Sequence, residues 1–328
     1  MKTITIKDIA KECGVGVSTV SRAINNHPDI SDETKKRIMK VIRENNFTPN
    51  STARNLKFTQ TKTIAVLIKG IENPFFQKML KVFEEEIQNK KYTFLLHRVD
   101  SNQDELEVAL QLIKERKLKG IIFLGGCFSH DEKRLKQITV PFVLSTISIF
   151  DGVDKNIYSS VSVDDIKESK KAIDCLCDYG HEKISILAAQ PWDTSISGLR
   201  VEGYKKALEE VNAFTMENGY KLMKELLESE EEFTAVYAVS DSMVIGASKA
   251  ILESGKKIPE DYSIMGFDGL DISYYYNPSI STIRQPVEDM AKETSEILFN
   301  LIENNAYNSH KIFEGELLVR QSIARLNK

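Results

Sequence analysis

A chain of 328 residues with 41% hydrophobic and 28% charged side chains is too long for one small core and has the balance of a soluble globular protein of two or three domains. No apolar run approaches the ~20 residues that a membrane span needs, and the polar start Met1-Lys2-Thr3, followed by Lys7-Asp8, leaves no room for a signal-peptide core, so a cytoplasmic protein is expected. The net charge of −4 is unevenly spread: residues 1–60 hold eleven Lys and Arg against six Asp and Glu, a net +5 that leaves −9 for the remainder, which excludes a general nucleic-acid coat and confines any DNA contact to one small domain.

In chain order, residues 4–47 predict three short helices. In the first, Ile6, Ile9, Ala10 and Cys13 recur at helical spacing and form one inward face, which Gly14-Val15-Gly16 then ends. In the second, residues 17–24, Val20, Ala23 and Ile24 face inward while Val17, Ser18, Ser21 and Arg22 face away. That outer surface is short and polar with one long bidentate donor, as reading base edges in a major groove requires. A plain surface-charged helical domain has the same outline. The third helix, residues 31–45, has Ser31 as N-cap, and the basic excess in Lys35, Lys36, Arg37, Lys40, Arg43, Arg54 and Lys57 suits phosphate contacts. Pro49 suits the first turn of a further helix, too brief to persist without a partner, and the polar link 58–62 puts a domain boundary near residue 60.

Beyond it, apolar strand-like runs at 64–68, 92–99, 120–124 and 141–145 alternate with amphipathic helices at 75–88 and 104–117. A second series follows, with helix 166–179, strand 184–189, helices 198–210 and 215–228, strand 235–239, helix 243–253 and strand 262–267. This alternation predicts parallel sheets covered by helices, in two α/β lobes. A long helix at 287–304 and a last strand at 311–319 return the chain to join both lobes. Open parallel sheets bind ligands at the carboxyl ends of their strands, so the expected ligand site is the cleft between lobes.

Enzymatic candidates are thin: five histidines, no Gly-x-Ser-x-Gly elbow, no phosphate-binding Gly-x-x-x-x-Gly-Lys loop and no metal spacing. His181 follows Gly180 at a helix end, where it can cap carbonyls near a strand. Cysteines 13, 127, 175 and 177 form no zinc set and are expected to be structural thiols, so neither a metal nor a cofactor is expected.

Several short motifs extend the reading: Ile6-Lys7-Asp8-Ile9-Ala10, Ser18-Thr19-Val20-Ser21-Arg22-Ala23-Ile24-Asn25, Pro49-Asn50 with Ala53-Arg54-Asn55-Leu56, Asn73-Pro74-Phe75-Phe76, Gly180-His181, Gly203-Tyr204, Ser240-Asp241-Ser242-Met243, Gly266-Phe267-Asp268 and Thr282-Ile283-Arg284-Gln285-Pro286. Through them the chain resembles, over essentially its whole length, the lactose/galactose repressor (LacI/GalR) family of bacterial transcription regulators. The resemblance implies a small all-α helix-turn-helix domain at 1–48, a hinge helix and linker at 49–60, and a two-lobed, periplasmic-binding-protein-like α/β domain with parallel sheets at 61–328 that binds effector and dimerises. It implies a homodimer on a double-stranded operator, with Val17, Ser18, Ser21 and Arg22 at bases and Ala53, Leu56 and Lys57 in the minor groove. Leu56 is either an apolar wedge that unstacks a central step or a side chain packed on its own lobe.

For the effector, the resemblance points to Phe75, Phe76 and Phe214 as aromatic walls and to Arg200 and Asp268 as a charged pair gripping polar groups, which suits a sugar. Phe76 serves equally as lobe core, and Arg200 as a surface helix charge. The chain departs from the family pattern at Gly16, where a serine N-cap is usual, at Thr146 and Ile147, where an acidic or polar ligand group often stands, and at Thr194, where purine-responsive members carry arginine. Between Glu210 and Phe214 only Val211-Asn212-Ala213 replaces the usual turn and strand: either an edge strand is lost or a segment is missing from the chain. No leucine-heptad tail follows Arg325, so a dimer rather than a tetramer is expected. The alternative is a cytoplasmic or exported sugar-binding protein with no transcriptional role, which has no use for the basic N-terminal domain.

Overall fold

Thr5 and Asp8 close the start of the first helix: the Thr5 amide donates to Asp8 Oδ2 at 2.9 Å, satisfying a donor that the helix itself cannot. The computed structural model describes residues 5–24, 29–45, 62–100, 102–126, 130–147, 153–188 and 214–326. The chain divides into two compact units, Met1–Gln60 and Thr61–Lys328. In the first, α1 (Ile6–Glu12), α2 (Val17–Ile24) and α3 (Asp32–Glu44) enclose a small core of Ile9, Ala10, Cys13, Val20, Ala23, Ile38 and Ile42. Ser31 caps α3 as the sequence requires, its Oγ accepting from the Thr34 amide at 3.3 Å.

The second unit is built on two sheets, with strands β1 Thr63–Lys69, β2 Thr93–Val99, β3 Leu118–Leu124, β4 Phe142–Ser145, β5 Ser159–Val163, β6 Ile184–Leu187, β7 Ala235–Ala238, β8 Ser263–Asp268, β9 Ser281–Arg284, β10 His310–Phe313 and β11 Glu316–Leu318. The first sheet runs β10-β5-β4-β3-β1-β2 and the second β11-β9-β8-β7-β6. Every described pairing is parallel except β11 with β9. Because parallel strands bury both faces, β1 is apolar throughout: Ala65 and Leu67 belong to one core cluster, Ile64, Val66 and Ile68 to another. The second cluster also contains the core of the other lobe.

The chain crosses between sheets three times: through helix Asp165–Asp178, through helix Val287–Glu303, and through the short link Glu314-Gly315. That link corrects the single strand expected at 311–319. The stretch is two strands, one parallel to β5 in the first sheet and one antiparallel to β9 in the second. Two further strands, β5 and β9, were not anticipated. In β5 three serines mask a strand whose Val161 and Val163 alternate into the core. Helix 198–210, Gly203-Tyr204 and the short connection at 211–213 lie outside the described residues, as do Cys127, Thr194 and the 49–60 hinge. Cys13 and Cys175 are buried as expected, whereas Cys177 is exposed. Among the described residues no helix is long and apolar enough to cross a membrane.

His181 does more than end a helix. Its Nε2 donates to the Ala324 carbonyl at 3.1 Å, and its Nδ1 pairs with Thr234 Oγ1 at 2.9 Å, pinning the C-terminal segment to the second lobe. Burial lowers its pKa below the ordinary 6.5, against the opposing pull of the Ala324 carbonyl. A folded state that resists protonation more than the unfolded one contributes fully above that value and progressively less as the pH falls below it. His181→Ala is accordingly expected to lower stability by roughly 1–3 kcal/mol at about pH 7.5 and by less at about pH 5.5, measured by urea unfolding.

Candidate functional site

Two places gather the candidate residues. On α2 the Gly16 carbonyl accepts from the amides of Thr19 and Val20 at 2.9 and 3.2 Å, so the helix begins without a serine cap. Val20 and Ala23 hold it to the core, while Val17, Ser18 and Arg22 are exposed and Ser21 is half-buried. An apolar side chain 41% exposed at the very start of a short helix, beside a serine and an arginine, presents a methyl contact, a hydroxyl and a bidentate donor on one surface. Ile24, expected to face inward, is only partly buried at its end. Along α3, Lys36, Arg37, Lys40 and Arg43 are exposed and Lys35 is half-buried. Ala53, Leu56 and Lys57 lie outside the described residues.

The second place is the edge where the carboxyl ends of the strands meet. After β1, Asn73 Oδ1 accepts from the Phe75 amide at 3.0 Å and starts helix Phe75–Asn89. The Phe75 and Phe76 rings meet edge to face, 5.3 Å between centroids, and both are packed into the core. Phe76 fits beneath the end of β3 because residue 125 is glycine at φ +69: a Cβ there would come within 2.5 Å of Phe76 Cζ. The structure thus gives Phe76 the lobe-core position that its sequence left open. At the end of β4, Thr146 has φ +57, a strained conformation for a β-branched residue. It is 6% exposed, and its Oγ1 makes no hydrogen bond.

The opposite lobe supplies carboxyl groups. Asp268 ends β8 at φ +107 and is 4% exposed. Gln285 Nε2 donates to its Oδ1 at 2.9 Å, which fixes the carboxylate plane. Asp241, fully buried at the first turn of helix Asp241–Glu253, accepts from the Leu270 amide at 2.7 Å. Burial and, second, the nearby Asp268 charge push its pKa up to about 7. Phe214 is half-buried against the core, just before Thr215 caps helix Met216–Glu228. Arg200 lies outside the described residues. Sequence reasoning did not single out Asp241 or Gln285, although both stand inside motifs it used. Among the described residues no group of three or more His, Cys, Asp or Glu is placed to hold a metal.

Thr146→Val, which keeps shape and removes the unpaired hydroxyl, is expected to leave stability unchanged or slightly higher. It should weaken small-molecule binding in the cleft by about tenfold, the worth of one hydrogen bond, as measured by calorimetry.

A profile of bacterial regulatory proteins of the lacI family matches residues 5–50, and one of a periplasmic binding protein-like domain matches residues 173–323. The HTH-type transcriptional regulator MalR of Clostridium butyricum is 39% identical, over 97% of this chain and 99% of its own. The ribose operon repressor of Haemophilus influenzae is 31% identical, over 98% and 99%. The alignment with MalR spans 338 positions, more than the 328 residues of the chain, so that relative carries residues without a counterpart here. Among solved structures, the lac repressor dimer bound to operator and the anti-inducer ONPF superposes with a TM-score of 0.75 at 21% identity, covering 98% of this chain and all of that one (100%). A LacI family transcriptional regulator from Enterococcus faecium with bound ribose gives 0.69 at 27% identity, over 81% and 100%.

Proposed function

Because the chain belongs to the lacI family of bacterial regulatory proteins, DNA-binding regulators of transcription rather than enzymes, we propose that it is a cytoplasmic repressor that holds an operator as a homodimer and responds to a sugar bound between its lobes. The observation that carries the effector half is the cleft edge. Thr146, Gln285 and Asp268 offer a hydroxyl, an amide and a carboxylate from both lobes, the polar set that vicinal hydroxyls need. Sugar is the class also indicated by the ribose in the Enterococcus faecium regulator and by the name of the Haemophilus influenzae relative. Phe75, Phe76 and Phe214 would border the sugar, with Arg200 as a second charged contact.

The dimer reading rests on a shallow groove of about 620 Å³ on the second lobe, bordered by Met216, Tyr220, Ile245, Leu252 and Tyr276. Nearby Tyr274 and Tyr275 are 61% and 80% exposed. An apolar surface of this kind calls for a second copy to cover it. Ala53, Leu56 and Lys57 complete the proposal as minor-groove contacts made by paired hinges, with the operator two-fold symmetric in consequence. The alternative, a sugar-binding protein without DNA, leaves the exposed Val17, Ser18 and Arg22 without a purpose.

On the DNA side, Arg22→Ala should relax specificity at one base pair per half-site by roughly 1–3 kcal/mol, whereas Lys40→Ala should weaken all sequences alike. An unchanged ratio of operator to random-DNA affinity for Arg22→Ala would remove it from the reading face. On the effector side, Asp268→Ala should abolish the response to the sugar that a thermal-shift panel selects while operator affinity without sugar stays nearly intact. A wild-type response in the titrated mutant–operator complex places Asp268 outside the site.

A further inference from the structure

Asp241 is a second carboxyl group beside the proposed effector ligand, and no effector contact explains it. Its Oδ2 is held by the Leu270 amide, while its Oδ1 makes no hydrogen bond and lies against β8 at Gly266, where a Cβ would stand 2.3 Å away. Gly266 and Asp268 are two residues apart on one strand and so share a face. Asp241 therefore lies along the face that carries Asp268, spanning positions 266 to 270, with no water around it.

Its other neighbours do not neutralise the pair. The Thr282 hydroxyl from β9 and the Ser273 hydroxyl from helix Asp271–Tyr275 favour the charged form but carry no charge. Arg320, in the segment after β11, is the nearest cation. Its guanidinium is committed to Ser273 Oγ at 3.0 Å and the Ile280 carbonyl at 2.9 Å, and it packs over Tyr274. Arg284, at the end of β9, is turned toward Glu316. Asp271 is paired with Lys78 of the first lobe. On its own helix the next charges, Lys249 and Glu253, lie two turns or more away and pair with each other. Two carboxyl groups so close, both buried, cannot both ionise without a large electrostatic penalty.

We propose that Asp241 is a positioning residue for Asp268: the two carboxyl groups hold one proton between them, carried by Asp241, and this keeps Asp268 ionised and oriented as the acceptor at the cleft. The functional consequence rests on the effector reading of Asp268. The shared proton does not, and it can be measured without ligand.

An acid that stays protonated in the folded chain to near neutrality, but ionises in the unfolded chain at about pH 4, gives stability that is complete below about pH 4 and is lost as the pH rises. The loss stops near pH 7, where the folded group ionises too. Urea unfolding of the full chain from about pH 5 to pH 8 tests this on wild type, Asp241→Asn, Asp268→Asn and the double variant. Relative to Asp241→Asn, the wild-type unfolding constant should rise by close to tenfold per pH unit from pH 5 and level off near pH 7. In the Asp268→Asn background the same difference should level off at lower pH, because the repelling charge is gone. Parallel wild-type and Asp241→Asn profiles, or an unchanged levelling point, would overturn the proposal. A purely structural Asp241 would shift stability equally at every pH. Should Asp241→Asn not fold, wild type against Asp268→Asn decides by itself: the wild-type profile must bend at the higher pH. A sugar panel that stabilises nothing would tell against the effector reading and leave these profiles as they stand.

Discussion

Parallel pairing is the constraint on which the two-lobed unit depends. With every strand but β11 running the same way as its neighbour, the carboxyl ends of each sheet collect along one edge, and every return of the chain passes through a helix or a long loop. The two residues left in unfavourable backbone conformations at strand ends, Thr146 after β4 and Asp268 in β8, both lie on that edge. Strain of roughly 1–3 kcal/mol per such residue persists only where surrounding packing over-determines it. Here the surroundings are specific: the Thr146 amide donates to the Val161 carbonyl at 2.9 Å, and Gln285 holds Asp268 through both its amide groups.

The lobes are also tied where the chain crosses. Lys171 on helix Asp165–Asp178 donates to the Gly315 carbonyl at 3.1 Å and pairs with Glu168, which is fully buried, at 2.8 Å. Removing one partner of a buried pair strands the other, so this ion pair grips the third crossing firmly against the second lobe. Lys167 with Glu314, and Arg284 with Glu316, add exposed pairs on either side of the same glycine. These outer pairs are each worth at most about 1 kcal/mol, so they guide the link rather than hold it. Any closing of the cleft must bend the chain beside this clamp.

Much of this was legible in the residues. Helix starts at Ser31, Thr215 and Ser240 follow from side-chain oxygens placed to accept an amide two or three residues on. The outward face of α2 follows from spacing alone. Strand β5 did not, because its serines read as a loop until Asn308 and the neighbouring strands supply their partners. The division of 311–319 into two strands was hidden for a related reason: both halves are extended, and only the sheet that each one joins tells them apart. Asp241 was invisible as a special residue since an aspartate in a helix's first turn is ordinary. What distinguishes it is the strand packed against it, 25 residues further along the chain at Gly266.

Three crossings also decide how such a chain can be taken apart. The first lobe is made of residues 62–163 together with 287–313, and the second of the stretches that remain, so neither is a continuous segment. Exchanging one lobe for that of a relative means rejoining the chain at three points simultaneously, each inside a packed helix or link. The small N-terminal unit ends once, near residue 60. Recombination between genes can therefore trade the part that meets DNA in a single step, while the two walls of the cleft are inherited together and change residue by residue.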